Sequence, residues 1–280
     1  MKLVKIERNG ACAEGIVDGA DIRIIGGWTH APSDRARFSL GAKSRGELKA
    51  LLAMATETVP LSGTTLAVPM DPLAQLFCVG FNYRANLTET GSDEPKEPVI
   101  FKRTLDTLVA HGQAIVRPRA SETLDYEGEI AIVIGKAGRY ITEEDAFSHV
   151  GGYSCFMDGS IREYQKHGLT AGKNFWRTGS LGPWIVTPDE VGSDTLSLET
   201  FVDGEQRQSA TSRHMIFNIP RVIAYCSTMT LLQPGDIITT GTPGGAGWRM
   251  TPPSWLRPGQ TVEVDVGGVG RLRNLVKDES

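Results

Sequence analysis

Along the chain, apolar positions more often alternate or crowd into short runs than repeat every three or four residues, which predicts a strand-rich fold. Leu3 to Glu7 and Cys12 to Gly19 read as strands hinged at Arg8-Asn9-Gly10, because Asn-Gly accepts the left-handed backbone of a tight hairpin. Ile22 to Ile25 adds another. Ser44 to Glu57 is helical instead: Ser44 can cap it, and Leu48, Leu51, Leu52 and Met54 share a face. A passage marked by Pro and Gly, Pro60 to Pro72, divides the chain. We therefore expect a small N-terminal β/α domain over residues 1–72 and a larger domain over 73–280. In the larger one, LFCVG, PVIFKR, AIVRPR, EIAIVIG, GYSCFMD, GPWIVT, LETFVDGE, DIITTGTP, TVEVDV and GRLRNLV read as strands. Thr142 to His149 reads as a capped turn. Asn218 to Leu232 reads as a helix opened by Asn218 and stopped by Pro234-Gly235. Many irregularly spaced strands with few helices predict a β-rich α+β fold, not a doubly wound one.

Composition narrows the partners. A hydrophobic content of 40% and a charged content of 22% suit a soluble globular chain, and a net charge of -4 lacks the basic footprint of a nucleic-acid binder. No apolar run approaches the roughly 18 to 20 residues that cross a membrane, and MKLVKIERNGACAEG lacks the apolar core of a secretory signal. Cys12, Cys78, Cys155 and Cys226 are widely spaced and form no CxxC pair, which predicts reduced thiols in a cytoplasmic protein.

The stretch LDYEGEIAIVIG, Leu124 to Gly135, does not read as plain structure. Ile130 to Ile134 has the continuous β-branched run of a strand covered on both faces. Glu127 and Glu129 stand at its mouth, two residues apart, so both carboxylates point to one side and repel. Solvated glutamates at a strand end would fit; so would a site with positive charge between them. Asp158, ahead of Gly159 at the end of Tyr153 to Met157, offers a third carboxylate, although turn aspartates are also common there. Three carboxylates make a hard oxygen cage suited to Mg²⁺, Mn²⁺ or Ca²⁺ rather than Zn²⁺.

YEGEIAIVIGK (126–136), GYSCFMDGSIREYQ (152–165), GKNFWRTGSLGPWIVT (172–187) and ITTGTPGGAG (238–247), in that order and spacing, resemble the fumarylacetoacetate hydrolase family over roughly residues 76 to 276. The resemblance implies a mixed β-roll catalytic domain, a homodimer, and Mg²⁺ or Mn²⁺ (with Ca²⁺ able to occupy the site in crystals) held by Glu127, Glu129 and Asp158. It implies a small 2-oxo or 1,3-dicarbonyl acid of the acylpyruvate type as substrate, in the catabolism of aromatic or other carbon compounds. Lys173 matches a lysine near the metal, where an ammonium would stabilise developing negative charge. Tyr164, Gln165 and Thr242 match positions near the family's pocket. Arg84 is a candidate for a second substrate carboxylate, and the glycines after Thr242 would let backbone approach a ligand. The Glu89 to Lys102 segment reads as a loop bordering the pocket.

One motif departs from the pattern. Where hydrolytic members carry a histidine, this chain has Asn86, followed three residues later by the expected Glu89. An amide holds water by hydrogen bonds but cannot take its proton. None of His30, His111, His149, His167 and His214 lies in that motif; His111, in AHGQAIVRP, is the candidate neighbour of the pocket, although a lone histidine is more often structural. Three readings follow: a C–C hydrolase using Glu89 or metal-bound water, a decarboxylase or enol–keto isomerase needing no activated water, and a non-catalytic 2-oxo acid binder. The hydrolase is ranked first.

Overall fold

The computed structural model describes residues 1–31, 36–91, 93–191 and 195–280. It opens with a meander of β1 (Lys2–Arg8), β2 (Ala11–Asp18) and β3 (Asp21–Thr29). Asn9 and Gly10 both take positive φ, as the expected hairpin turn requires. Helix α1 (Arg45–Met54) begins on a capping box: the Ser44 hydroxyl accepts from the Glu47 amide while the Glu47 carboxylate accepts from the Ser44 amide. Strands β4 (Thr58–Pro60), β5 (Thr65–Ala67) and β6 (Leu76–Gly80) lead to α2 (Arg84–Thr90), β7 (Val99–Arg103), β8 (Leu108–Val109), β9 (Ile115–Arg117) and β10 (Leu124–Asp125). Then come β11 (Gly128–Ile134), β12 (Val150–Met157), β13 (Ser160–Ile161), α3 (Arg162–Gln165), α4 (Leu169–Lys173), β14 (Gly179–Val186) and α5 (Pro188–Val191). The chain finishes with β15 (Ser197–Val202), β16 (Glu205–Thr211), α6 (Ile219–Met229), β17 (Ile237–Thr239), β18 (Thr261–Val266) and β19 (Gly270–Asp278).

The main sheet runs β4-β3-β2-β1-β14-β12-β11-β17-β6-β7, with β5 against β1 and β8 against β14. Lys2 pairs with Val186 and Leu3 with Ile185, so the N-terminal meander continues the sheet of the larger segment. A second sheet runs β16-β15-β18-β19-β9, and β10 pairs with β13. The fold is β-rich α+β, as the strand pattern predicts.

Strand β11 explains its own composition. Every residue of it is buried, because it lies between two cores. Ile130, Ile132 and Ile134 face the core shared with the second sheet and α6, beside Leu198, Val264 and Val222. Ala131 and Val133 face the other core, beside Leu48 of α1 and Phe156. By the strand's period of two, Glu127 and Glu129 belong to this second face, at the end where the apolar core gives out.

Two elements depart from expectation. Thr142 to His149 is a turn followed by a short 3-10 helix, Ala146–His149. Strand β16, EQRQSAT, carries no apolar alternation, because it is the outer strand of its sheet and half of it faces water. Of the loop expected after Glu89, Ser92 lies outside the described residues; α2 takes up its start and β7 its end.

Candidate active site

Antiparallel pairing of β11 with β12 sets Glu129 opposite Phe156 and Gly128 opposite Met157. The Asp158 amide continues the ladder by donating to the Glu127 carbonyl at 2.8 Å. Glu127, Glu129 and Asp158 thus converge, with one carboxylate oxygen from each within 4.8 Å of the others, and all three are buried. Glycines permit the approach. A Cβ on Gly128 would stand 2.0 Å from Thr200 Oγ1 of the second sheet, and one on Gly159 would stand 1.7 Å from the Thr178 carbonyl.

Positive charge surrounds the carboxylates, as the paired glutamates require. The Lys173 ammonium, itself buried, donates to Glu127 Oε2 and, at 2.6 Å, to Asp158 Oδ2. Arg103 donates to Asp158 Oδ1. Arg162 donates to Glu127 Oε1 at 2.6 Å and to Asp125 Oδ2 at 2.8 Å. Glu129 Oε2 accepts from the Gly241 amide at 2.9 Å. Burial alone would push every one of these acids up. Arg162 and Lys173 overcome it at Glu127, which is held below the usual carboxylate range. Glu129 has no such pair, so burial and then the Asp158 charge push it well above that range. Burial also pushes Asp125 up, against the pull of Arg162. Lys173 stays firmly protonated, because Asp158 and Glu127 outweigh its burial.

A cleft of about 200 Å³ opens onto this cluster. Its lining includes Asn86, Glu127, Glu129, Asp158, Gln165, Lys173 and Thr242 of the sequence candidates, together with Arg162, Phe101 and Trp248. Asn82 holds the start of α2 in place: its amide donates to the Phe217 and Thr240 carbonyls, and its oxygen accepts from the Phe217 amide. Thr242 Oγ1 donates to the Gly128 carbonyl at 2.9 Å and accepts from Gln208, whose side-chain oxygen takes the Gly128 amide. Thr242 therefore fastens the glycine loop to the carboxylate strand.

Three candidates stand outside the lining. Arg84 is exposed and paired with Glu94 at 3.2 Å. Tyr164 packs edge-on against Phe175 and His167 behind the cleft. Glu89 is exposed, and both its oxygens accept from the Gly245 amide at 3.0 Å. His111 borders a different cavity, beside Trp184 and Arg271, and accepts from the Arg273 amide. No histidine lines the active-site cleft among the described residues. The sequence reasoning missed Arg103, Arg162 and Asp125. Asp125 lies two residues before Glu127, and this continued two-residue spacing of acids, Asp125, Glu127 and Glu129, is the signal that would have found it.

The donor set fits a hard divalent ion. Three buried carboxylates converge, and a divalent ion there would supply the charge that favours an ionised Glu129.

Residues 75–277 match the family model described as the C-terminal region of fumarylacetoacetate (FAA) hydrolase. Over 223 residues the chain is 39% identical to oxaloacetate tautomerase YisK of Bacillus subtilis (strain 168), covering 77% of this chain and 74% of that one. Over 265 residues it is 36% identical to the 4-hydroxyphenylacetate degradation bifunctional isomerase/decarboxylase of Salmonella dublin, covering 89% of this chain but 58% of that longer one. Among solved structures, the fumarylacetoacetate hydrolase of Exiguobacterium antarcticum superposes with a TM-score of 0.81 at 30% identity, covering the whole of both chains.

Proposed function

The chain belongs to the fumarylacetoacetate hydrolase family, and on that premise we propose that it interconverts the enol and keto forms of a small 2-oxo dicarboxylic acid of the oxaloacetate type. The observation that carries this reading is the cleft's inventory of titratable groups. Glu127, Glu129, Asp158, Arg162 and Lys173 all belong to one carboxylate–cation cluster, and Asn86 stands where water would have to be activated. Hydrolysis needs a side chain that takes a proton from water, or a bound ion acidic enough to ionise that water itself. Asn86 cannot do so, and Glu89 is occupied by the Gly245 amide outside the cleft.

Tautomerisation consumes no water. It asks that the enolate be stabilised and that one proton pass between carbon and oxygen. Glu127, Glu129 and Asp158 would hold Mg²⁺ or Mn²⁺, which supplies a Lewis acid for the 2-oxo carbonyl. The protonated Lys173 Nζ lies beside those carboxylates and places a fixed positive charge where enolate charge develops. The Asn86 amide can hold a water that ferries the proton. Phe101 and Leu169 give the cleft an apolar wall that strengthens these electrostatics by limiting bulk water. A second reading, decarboxylation of the same acid, is favoured by the likeness to the isomerase/decarboxylase; it breaks the bond to the distal carboxylate, releases CO₂ and leaves the enolate of the shorter 2-oxo acid, which the same charges would stabilise. Acylpyruvate hydrolysis, ranked first on sequence, falls behind both. A homodimer working in the cytoplasm remains part of the proposal.

The test is product identification by NMR with Mn²⁺-loaded protein. Freshly dissolved oxaloacetate should lose its enol signal faster than in buffer, without gaining pyruvate. Rapid pyruvate formation would select the decarboxylase. Cleavage of an acylpyruvate with oxaloacetate untouched would overturn the enolising function.

A further inference from the structure

An oxaloacetate-type substrate brings a second carboxylate, and the cations around the carboxylate cluster are already engaged. Lys173, Arg103 and Arg162 are each paired with buried acids. Arg84, the sequence candidate for this task, is tied to Glu94 away from the cleft. Arg249 differs from all of them. Among the described residues it forms no ion pair, the Glu89 charge acting on it only at longer range, and its Nε is buried without a hydrogen-bond partner. Its guanidinium stacks on the Trp248 ring, 3.6 Å from the centroid, and Trp248 lines the cleft. The Arg162 guanidinium lies 5.1 Å from the same ring. The indole, which lines the cleft, therefore lies between Arg162 inside the cluster and Arg249 outside the lining.

The backbone fixes this arrangement. Asp125 accepts from the Gly247 amide at 2.9 Å and the Trp248 amide at 3.2 Å while also holding Arg162. The Trp248–Arg249 turn is thus anchored to the same buried aspartate that orients the cluster. Stacking on an aromatic face leaves the edge N–H groups of a guanidinium able to bind a carboxylate in bidentate fashion.

We propose that Arg249, seated on Trp248, is the specificity-determining residue that receives the distal carboxylate of a dicarboxylic 2-oxo acid. This deepens the proposed function and rests on it. The 2-oxo acid end goes to the carboxylate cluster and Lys173, the far carboxylate to Arg249, and Trp248 lies along the carbon chain between them.

The experiment compares oxaloacetate with its 4-methyl ester, which keeps the 2-oxo acid end and loses the distal charge. Wild-type protein should show a KM for oxaloacetate about ten- to a hundredfold below that for the ester, the range expected of one charge-assisted contact. Arg249→Gln should raise the oxaloacetate KM toward the ester's, leave the ester KM in place and change kcat little; Arg249→Lys should recover part of the preference. If the variant keeps the full preference, or loses both substrates equally, Arg249 does not read the carboxylate. If wild-type protein turns over neither compound, the enolising function fails, and calorimetric binding of the same two compounds to Mn²⁺-loaded protein decides separately. Tighter binding of the diacid that Arg249→Gln abolishes sustains the assignment, and equal binding overturns it.

Discussion

Replacing Lys173 by methionine separates the structural from the chemical work of the carboxylate cluster. The side chains are close in length, so the position beside the Phe101 ring is largely kept while the charge is lost. The ammonium is buried and touches two acids, Glu127 and Asp158, that are buried as well. Removing one partner of a buried ion pair typically destabilises by about 3 to 5 kcal/mol, because the remaining charge is left without compensation. With an unfolding entropy near 2.1 cal/mol/K per residue, 280 residues give about 0.6 kcal/mol/K, so Tm should fall by about 5 to 8 °C without metal. Mn²⁺ should then restore more stability to the variant than to the wild type, since it meets the same oxygens with no ammonium competing for them. At a hundredfold excess over Kd, binding contributes about 2.7 kcal/mol, a rise of about 4 to 5 °C in the wild type and more in the variant. Differential scanning fluorimetry with and without Mn²⁺ reads both shifts. A variant whose Tm falls by less than about 2 °C, with an unchanged metal response, would refute the view that this ammonium and a divalent ion answer the same buried charge. Even with metal restored, kcat for oxaloacetate enolisation should remain about a hundred- to a thousandfold down.

Asn86→His supplies a base at the one cleft position where hydrolytic relatives are expected to carry it; acylpyruvate cleavage followed by NMR should appear or rise, and its complete absence would mean that more than this side chain separates the two chemistries. Gly128→Ala should destabilise by about 1 to 3 kcal/mol, because the added methyl meets Thr200 Oγ1, and Thr200→Ala in the same chain should recover most of the loss in a urea melt. In the free protein, burial and the Asp158 charge keep a proton on Glu129 to higher pH than on an ordinary glutamate. A metal must displace that proton, so Mn²⁺ affinity should climb as pH rises and fall as pH drops. Calorimetry in two buffers of different ionisation enthalpy measures the proton release, and finding none would remove Glu129 from the ligand set.

The site was most legible where local periodicity alone decides geometry. Two glutamates at i and i+2 on a strand must share a side, and the β-branched run after them marks that strand as buried. Asp158 could be read as an acid closing a strand ahead of a glycine turn, Lys173 followed from the resemblance, and the fold places both against Glu127. What stayed hidden was set by pairing across long sequence separations. Arg103 meets Asp158 only because β7 and β12 end at the same place, and no local pattern encodes that meeting. The same holds for Arg84 and Arg249. Arg84 looked available in the sequence, yet Glu94 takes it; Arg249 was unremarked, yet nothing described pairs with it. Strand β16 was invisible because an outer strand needs no apolar alternation.

The pairing of β1 with β14 bears on how this chain can be cut. Residues 75–277 carry the family match, which invites expression from residue 73 onward. Such a truncation would strip Leu3, Ile16, Ile25, Phe38, Leu40, Leu48 and Met70 from the core that also holds Ala131 and Val133 of the carboxylate strand. It would also bare the part of β14 around Ile185 that β1 now covers, and a bared apolar sheet edge is a template for aggregation. Anyone designing shortened or chimeric versions should therefore carry the N-terminal meander along with the carboxylate cluster, since it helps to build the core on which the strand behind that cluster rests.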